Sequence, residues 1–252
     1  MGSEGPKSVT IHVTGFKKFH GVAQNPTEIT VNGLKDYVEK RGLPAGVTLG
    51  SCTVLETAGE GGLPMLLKVI ESESSSANSS NNGQVIWLLL VGFPFSSSIW
   101  EQQENPFEAW QESARDTLCI SALHLGVNSG AMKFAVERLA VNEATFRCAD
   151  ELGWQPQRLP IVTEDGGINQ TRKTSCSTES ILEFLRKKGF EVTISDDAGR
   201  FVCNYVYYHS LRFAQQKGHK SLFVHVPTFN RVNQEEQMEF VAALLEAIAS
   251  TC

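Results

Sequence analysis

A cysteine, a histidine and a glutamate, distant from one another in the chain, have the residue types and settings needed for acyl transfer through a thiol. Cys203 stands in EVTISDDAGRFVCNYVYYHS (191–210), where a strand pattern runs into an Asp-Asp-Ala-Gly turn and a helix pattern begins near Phe201. A thiol in the first turn of a helix meets unpaired backbone N–H groups and the positive end of the helix dipole, which favour its thiolate. The same position also suits a small buried structural cysteine. A thiolate nucleophile needs a base within reach. His225 ends the apolar run 221–226 just before Pro227, and His124 in LHLG (123–126) is a rival at another strand end. His209 shares the helix of Cys203 but points about 120° away and roughly 9 Å further along it. His12, inside a strand, and His219, in Lys-Gly-His-Lys, read as structural. Glu137 in KFAVERLAVN (133–142) puts a charge inside an apolar strand pattern, which is costly to bury without a partner. It is either half of an ion pair with Arg138 or Lys133, or a carboxylate that orients an imidazole.

The elements that must hold these groups alternate along the chain. Strand patterns occupy 9–14, 47–55, 133–141, 191–195 and 221–226. Helical spacing of apolar residues occupies 26–40 (with Ile29, Leu34 and Val38, stopping at Gly42), 63–70, 201–216 and 234–249. A further helix at 177–188 has a capping start at Ser177 with Glu179 and Ser180. The Ser- and Asn-rich stretch 71–83 reads as a loop, and 146–173 as an extended loop. Strands alternating with amphipathic helices predict an α/β fold, a three-layer α/β/α sandwich with a mixed, largely parallel sheet. Active residues in such folds gather at the carboxyl ends of strands.

Composition narrows the class. The chain has 252 residues, 41% hydrophobic, with a net charge of −6 and no block of Lys or Arg. That argues against a nucleic-acid or anionic-membrane partner. The longest apolar run, 85–95, is too short for a membrane-spanning helix, and the polar start of the chain lacks a secretory h-region. The six cysteines are far apart, with no C-x-x-C and no zinc spacing, so reduced thiols and a cytoplasmic location are expected. A nucleotide-binding reading is weak, since 59–62 is only Gly-Glu-Gly-Gly.

Four segments together resemble the type I pyroglutamyl peptidases (pyrrolidone-carboxylate peptidases), a family of cysteine peptidases. GAMKFAVERLAVN (130–142) is similar to the family's glutamate motif, and ISDDAGRFVCN (194–204) to its cysteine motif. VHVP (224–227) resembles the stretch with the catalytic histidine, and TGFKKFHGVAQNPT (14–27) the N-terminal signature. They occur in the family's order. The wording LHLGVNSGA and GRFVCNYVYYHSL is similar to plant members. The resemblance implies Cys203 as nucleophile, His225 as general base and then acid, and Glu137 as the carboxylate that orients it. It implies Arg147 as a residue steadying the oxyanion, and Phe16 and Phe19 as aromatics that hold the lactam ring. The implied substrates are N-terminally pyroglutamylated peptides. No metal or organic cofactor is implied, and a homo-oligomer is compatible with the family. A pocket without a carboxylate to receive an ammonium would favour pyroglutamate over ordinary N-termini.

The sequence departs from the family in two places. His20 precedes Gly21 where the family has a second glycine after the aromatic pair. The chain otherwise reads as one domain over 1–252, with an apparent insertion at about 89–122. Two apolar segments, 85–91 and 120–127, compete for one strand position. The second is expected to hold the interior place, because it leads directly into the Glu137 motif. A helix at 105–118, with Phe107, Trp110, Ala114 and Leu118 near one face, would let 85–91 join as another strand. If the insertion instead disturbs the core, the chain is a catalytically impaired variant. A non-catalytic binding protein that keeps the fold is the other alternative.

Overall fold

The computed structural model describes residues 8–76 and 118–251. In chain order it contains β1 (Ser8–Phe16), α1 (Pro26–Arg41), β2 (Val47–Leu55), α2 (Leu63–Ser76), β3 (Leu118–Val127), β4 (Phe134–Glu137) and β5 (Leu139–Val141). These are followed by β6 (Thr171–Lys173), α3 (Thr178–Lys187), β7 (Val192–Ser195), α4 (Val202–Lys217), β8 (Lys220–Val226) and α5 (Gln234–Ala249). Six strands form one sheet in the order β2-β1-β3-β8-β4-β7. Every neighbouring pair is parallel except β4 against β8.

The expected three layers follow from strand alternation. Successive side chains point to opposite faces. Ile11, Val13, Leu123, Leu125, Phe134, Val136 and Val224 face α1, α3 and α5, where Phe134 stacks on Phe240 at 3.6 Å. On the opposite face Phe16, Leu55 and Phe223 pack against residues of α2 and α4, among them Leu66, Tyr207 and Leu211. Each fully buried large side chain contributes about 1.5–3 kcal/mol. Among the described residues, no helix is long and apolar enough to cross a membrane.

The N-terminal signature has a local physical basis. Asn25 caps α1 by accepting from the Thr27 N–H at 3.0 Å, and its amide donates to the Lys17 carbonyl. Thr27 Oγ1 accepts from the Phe16 N–H at 3.0 Å. A Cβ on Gly15 would lie 2.5 Å from the Thr27 carbonyl oxygen, so only glycine lets β1 and α1 approach this closely. The result fixes Phe16 at the carboxyl end of β1.

Several boundaries differ from expectation. The stretch 133–141 is two strands. The chain turns out of the main sheet at Arg138, whose N–H donates to Ser195 and whose carbonyl accepts from Thr174. Leu139–Val141 then pairs with β6 in a separate two-stranded sheet. Accordingly 146–173 is not wholly loop, since it contains β6 and a short 3₁₀ turn at Thr163–Asp165. The three-residue β6 gives no period-2 signal long enough to read. Helix α2 continues through 71–76, part of the stretch expected to be loop; the remainder, 77–83, lies outside the described residues. Ser177 is the N-cap of α3, yet its hydroxyl bonds the Ser180 hydroxyl at 2.8 Å instead of a backbone N–H.

β3 lies between β1 and β8, the interior place expected for 120–127. It begins at Leu118, so 118–122, the last part of the stretch read as an insertion, belong to the central sheet. The expected strand at 85–91 and the expected helix at 105–118 lie outside the described residues, apart from Leu118 itself, which is in β3.

Candidate active site

Strand alternation also gathers the polar groups. Gly126 of β3 pairs with His225 of β8, which in turn pairs with Ala135 of β4. Glu137, two residues beyond Ala135, is opposite Phe223. Because β4 runs antiparallel to β8, Glu137 and His225 are diagonal neighbours on one face of the sheet. The Glu137 carboxylate meets His225 Nδ1 at 2.7 Å, and both side chains are buried. Arg138, one partner weighed for Glu137, instead faces Asp196 and Glu179. The second carboxylate oxygen of Glu137 is buried without a hydrogen-bond partner among the described residues. The polar reach of this carboxylate is therefore directed to the imidazole.

Cys203 is the second residue of α4, which begins after Phe201 without a side-chain cap. The tight turn 196–199 swings the chain from β7 onto the sheet, so that the start of α4 stands over β3 and β8. Gly199 is at φ +79°, a conformation that glycine adopts without strain. Burial alone would lower the pKa of His225, but the negative charge and hydrogen bond of Cys203, joined by those of Glu137, raise it to about 10. The imidazole is thus held between a thiol and a carboxylate, with its protonated form favoured.

Two residues near this group went unassigned in the sequence. Asn204 follows Cys203 and is fully buried. Its carbonyl oxygen accepts from the Val141 N–H at 2.9 Å, and its amide donates to the carbonyls of Val141 and Glu143. This clamp ties the start of α4 to β5. Gly126 is the other. A Cβ there would lie 2.6 Å from the Phe223 ring and 3.0 Å from Cys203 Sγ. The glycine in LHLG was the available signal, but only the packing of α4 gives it meaning. Gly126→Ala is expected to displace the thiol, lowering any thiol-dependent turnover by on the order of 10²-fold. It should also destabilise the fold by about 1–3 kcal/mol through overpacking. Steady-state kinetics and urea unfolding check both effects; a variant equal to wild type in both would contradict the packing argument.

The other histidines fall outside this arrangement. His124 is fully buried and engaged at both nitrogens, by Thr14 Oγ1 and Ser210 Oγ, each at 2.7 Å. Burial lowers its pKa to about 4. His209 packs edge-on against Tyr205, and burial, with Arg212 adding to it, also lowers its pKa to about 4. His12 accepts from the Ser51 N–H and fills the space that Gly50 leaves open.

A cavity of about 300 Å³ opens beside Cys203 and His225. Phe16, Phe19, Phe201 and Arg147 line it, which brings all six expected site residues but Glu137 to its walls; Glu137 lies behind His225. Asp197 lines it as well, contrary to the expected absence of a carboxylate. Its Oδ1 accepts from Arg200 at 2.7 Å and from the Gly199 N–H at 3.0 Å, and the side chain is 72% exposed.

The family model for pyroglutamyl peptidases matches residues 103–247, more than half of the chain. The pyrrolidone-carboxylate peptidase of Pyrococcus furiosus is 33% identical over 108 residues, 42% of this chain and 50% of that protein. That of Klebsiella pneumoniae is 36% identical over 104 residues, 41% of this chain and 47% of that protein. The chain spans about half the length of the curated relatives it matches. A solved mutant of the pyrrolidone carboxyl peptidase from Pyrococcus furiosus superposes with a TM-score of 0.68 at 21% identity, covering 96% of this chain and 98% of that one. At that identity the likeness speaks to the fold.

Proposed function

Because the chain belongs to the pyroglutamyl peptidase family, we propose that it is a cysteine peptidase hydrolysing the bond after an N-terminal pyroglutamyl residue. The observation that carries this reading is His225, held between the Glu137 carboxylate and the Cys203 thiol beside an aromatic-lined cavity. Cys203 attacks the pyroglutamyl carbonyl as a thiolate. His225 gives its proton to the departing amine, the C–N bond breaks and a thioester remains. A water molecule, deprotonated by His225, then adds to the thioester and expels the thiolate. Glu137 keeps the imidazole oriented throughout. Arg147 and the first N–H groups of α4 face the oxyanion, and Phe16 and Phe19 take the flat, uncharged lactam.

Arg200, paired with Asp197, offsets part of the charge that would draw a free α-ammonium into the cavity, which supports a preference for a neutral terminus. Turnover of pyroglutamyl amides should therefore exceed that of prolyl amides by on the order of 10³-fold or more, since proline lacks the lactam carbonyl and brings a charged ring nitrogen. Release of a fluorophore from the two amides measures this. Similar rates would remove the basis for assigning pyroglutamyl specificity.

Six cysteines far apart in the sequence, with no C-x-x-C, favour a reducing, cytoplasmic setting. The same reading treats the chain as one domain with an extra segment. The impaired-variant and binding-protein alternatives gain no support from a site whose acid, base and nucleophile groups are assembled.

A further inference from the structure

The cavity beside Cys203 has a neighbour. Ser129 lines both it and a second cavity of about 230 Å³, whose other walls include Ala23, Gln24, Thr228 and Asn230. A tight turn, in which Phe19 and Val22 exchange backbone hydrogen bonds, the shorter at 2.8 Å, contributes to both. Phe19 faces the first cavity and Val22 the second. The two differ in character. The first presents aromatic rings. The second has mostly small and polar walls with Phe229 and Val22 among them, and five of its eight lining residues are exposed, which suits a peptide backbone of varied sequence.

The direction of the chemistry connects them. A departing amine must lie beside the imidazole that protonates it, so the peptide beyond the scissile bond continues on the His225 side. From His225 the chain runs through Val226 and Pro227 directly into 228–230, and the Asn128 N–H extends the β3–β8 ladder by donating to Val226. β8 therefore carries the proton donor at its end, and the loops after β1, β3 and β8 supply the walls of the second cavity beside it. We infer that this second cavity is the subsite for the peptide on the leaving side of the bond, so that its walls set how well peptides are used compared with simple amides. The inference rests on the peptidase reading above.

The test compares pyroglutamyl amide, whose leaving group is ammonia, with pyroglutamyl-alanyl-alanine, using the full chain. Ala23→Trp and Thr228→Trp fill the cavity from two different loops, and neither residue lines the cavity beside Cys203. In each, kcat/KM for the tripeptide should fall by about tenfold or more while that for the amide stays within about twofold of wild type. One variant behaving so is sufficient support if the other fails to fold. A parallel fall on both substrates in both variants, or no change on either, overturns the inference alone. Failure of the wild-type chain to hydrolyse either substrate overturns the peptidase reading and the inference with it.

Discussion

Cys203→Ala is expected to reduce hydrolysis of pyroglutamyl amides by about 10⁴-fold or more, because no other group replaces the covalent step. The fold should survive. Cys203 is only partly buried, the methyl of alanine fits beneath it, and the Asn204 clamp that fixes the start of α4 is untouched. Cys52→Ala, Cys148→Ala and Cys176→Ala serve as controls. Burial raises the Cys52 thiol to about 11, which makes it a poor nucleophile, and Cys176 is packed in the core away from the cavity. These controls should keep turnover within a few-fold of wild type, although Cys176→Ala will lower stability somewhat. Loss of activity in one of them, with Cys203→Ala still active, would move the nucleophile elsewhere.

Removal of the proposed base should have the next largest effect. His225→Ala is expected to lower kcat by about 10²–10⁴-fold, the usual range for a positioned acid–base group. Its effect on thiol reactivity has a definite sign. The folded pKa of His225 is raised from 6.5 to about 10, so its pairing with the thiolate and carboxylate is fully present below 6.5 and is lost as pH rises through about 10. Alkylation by iodoacetamide should accordingly be fast in the wild-type chain at pH 6–8, and slower by on the order of tenfold or more in His225→Ala. Glu137→Gln retains the shape but removes one of the charges that raise the imidazole pKa. The upper edge of the pH window should move down, with kcat reduced more than KM is raised. An alkylation profile unchanged in His225→Ala, or a stronger effect from His209→Ala, would identify a different base.

The residues proposed to carry the chemistry were legible in the sequence as candidates, because each has a local signal, and the family resemblance joined them into one set. Cys203 follows a tight turn into a helix start, His225 closes an apolar run before a proline, and Glu137 is a charge in an apolar strand. The layer arrangement was legible as well, since alternation of strands and amphipathic helices depends on nearest-neighbour periodicity. The choice among histidines was not legible in local pattern and rested on the resemblance of VHVP (224–227) alone. His124 and His225 both end apolar strand segments, and only the register of β3 and β8 shows one engaged by Thr14 and Ser210 and the other by Glu137. Nor could the sequence show that β4 runs antiparallel to β8 and breaks at Arg138, although that direction makes Glu137 the diagonal neighbour of His225. The need for glycine at 126 is equally non-local, since the atoms that exclude a side chain belong to Phe223 and Cys203, 97 and 77 residues away in the chain. Strand and helix propensity are set by residues a few positions apart, whereas strand direction, register and close packing depend on which distant segments share an interior. The sequence by itself determined the fold class and the chemical candidates, and the tertiary structure decided which of those candidates meet.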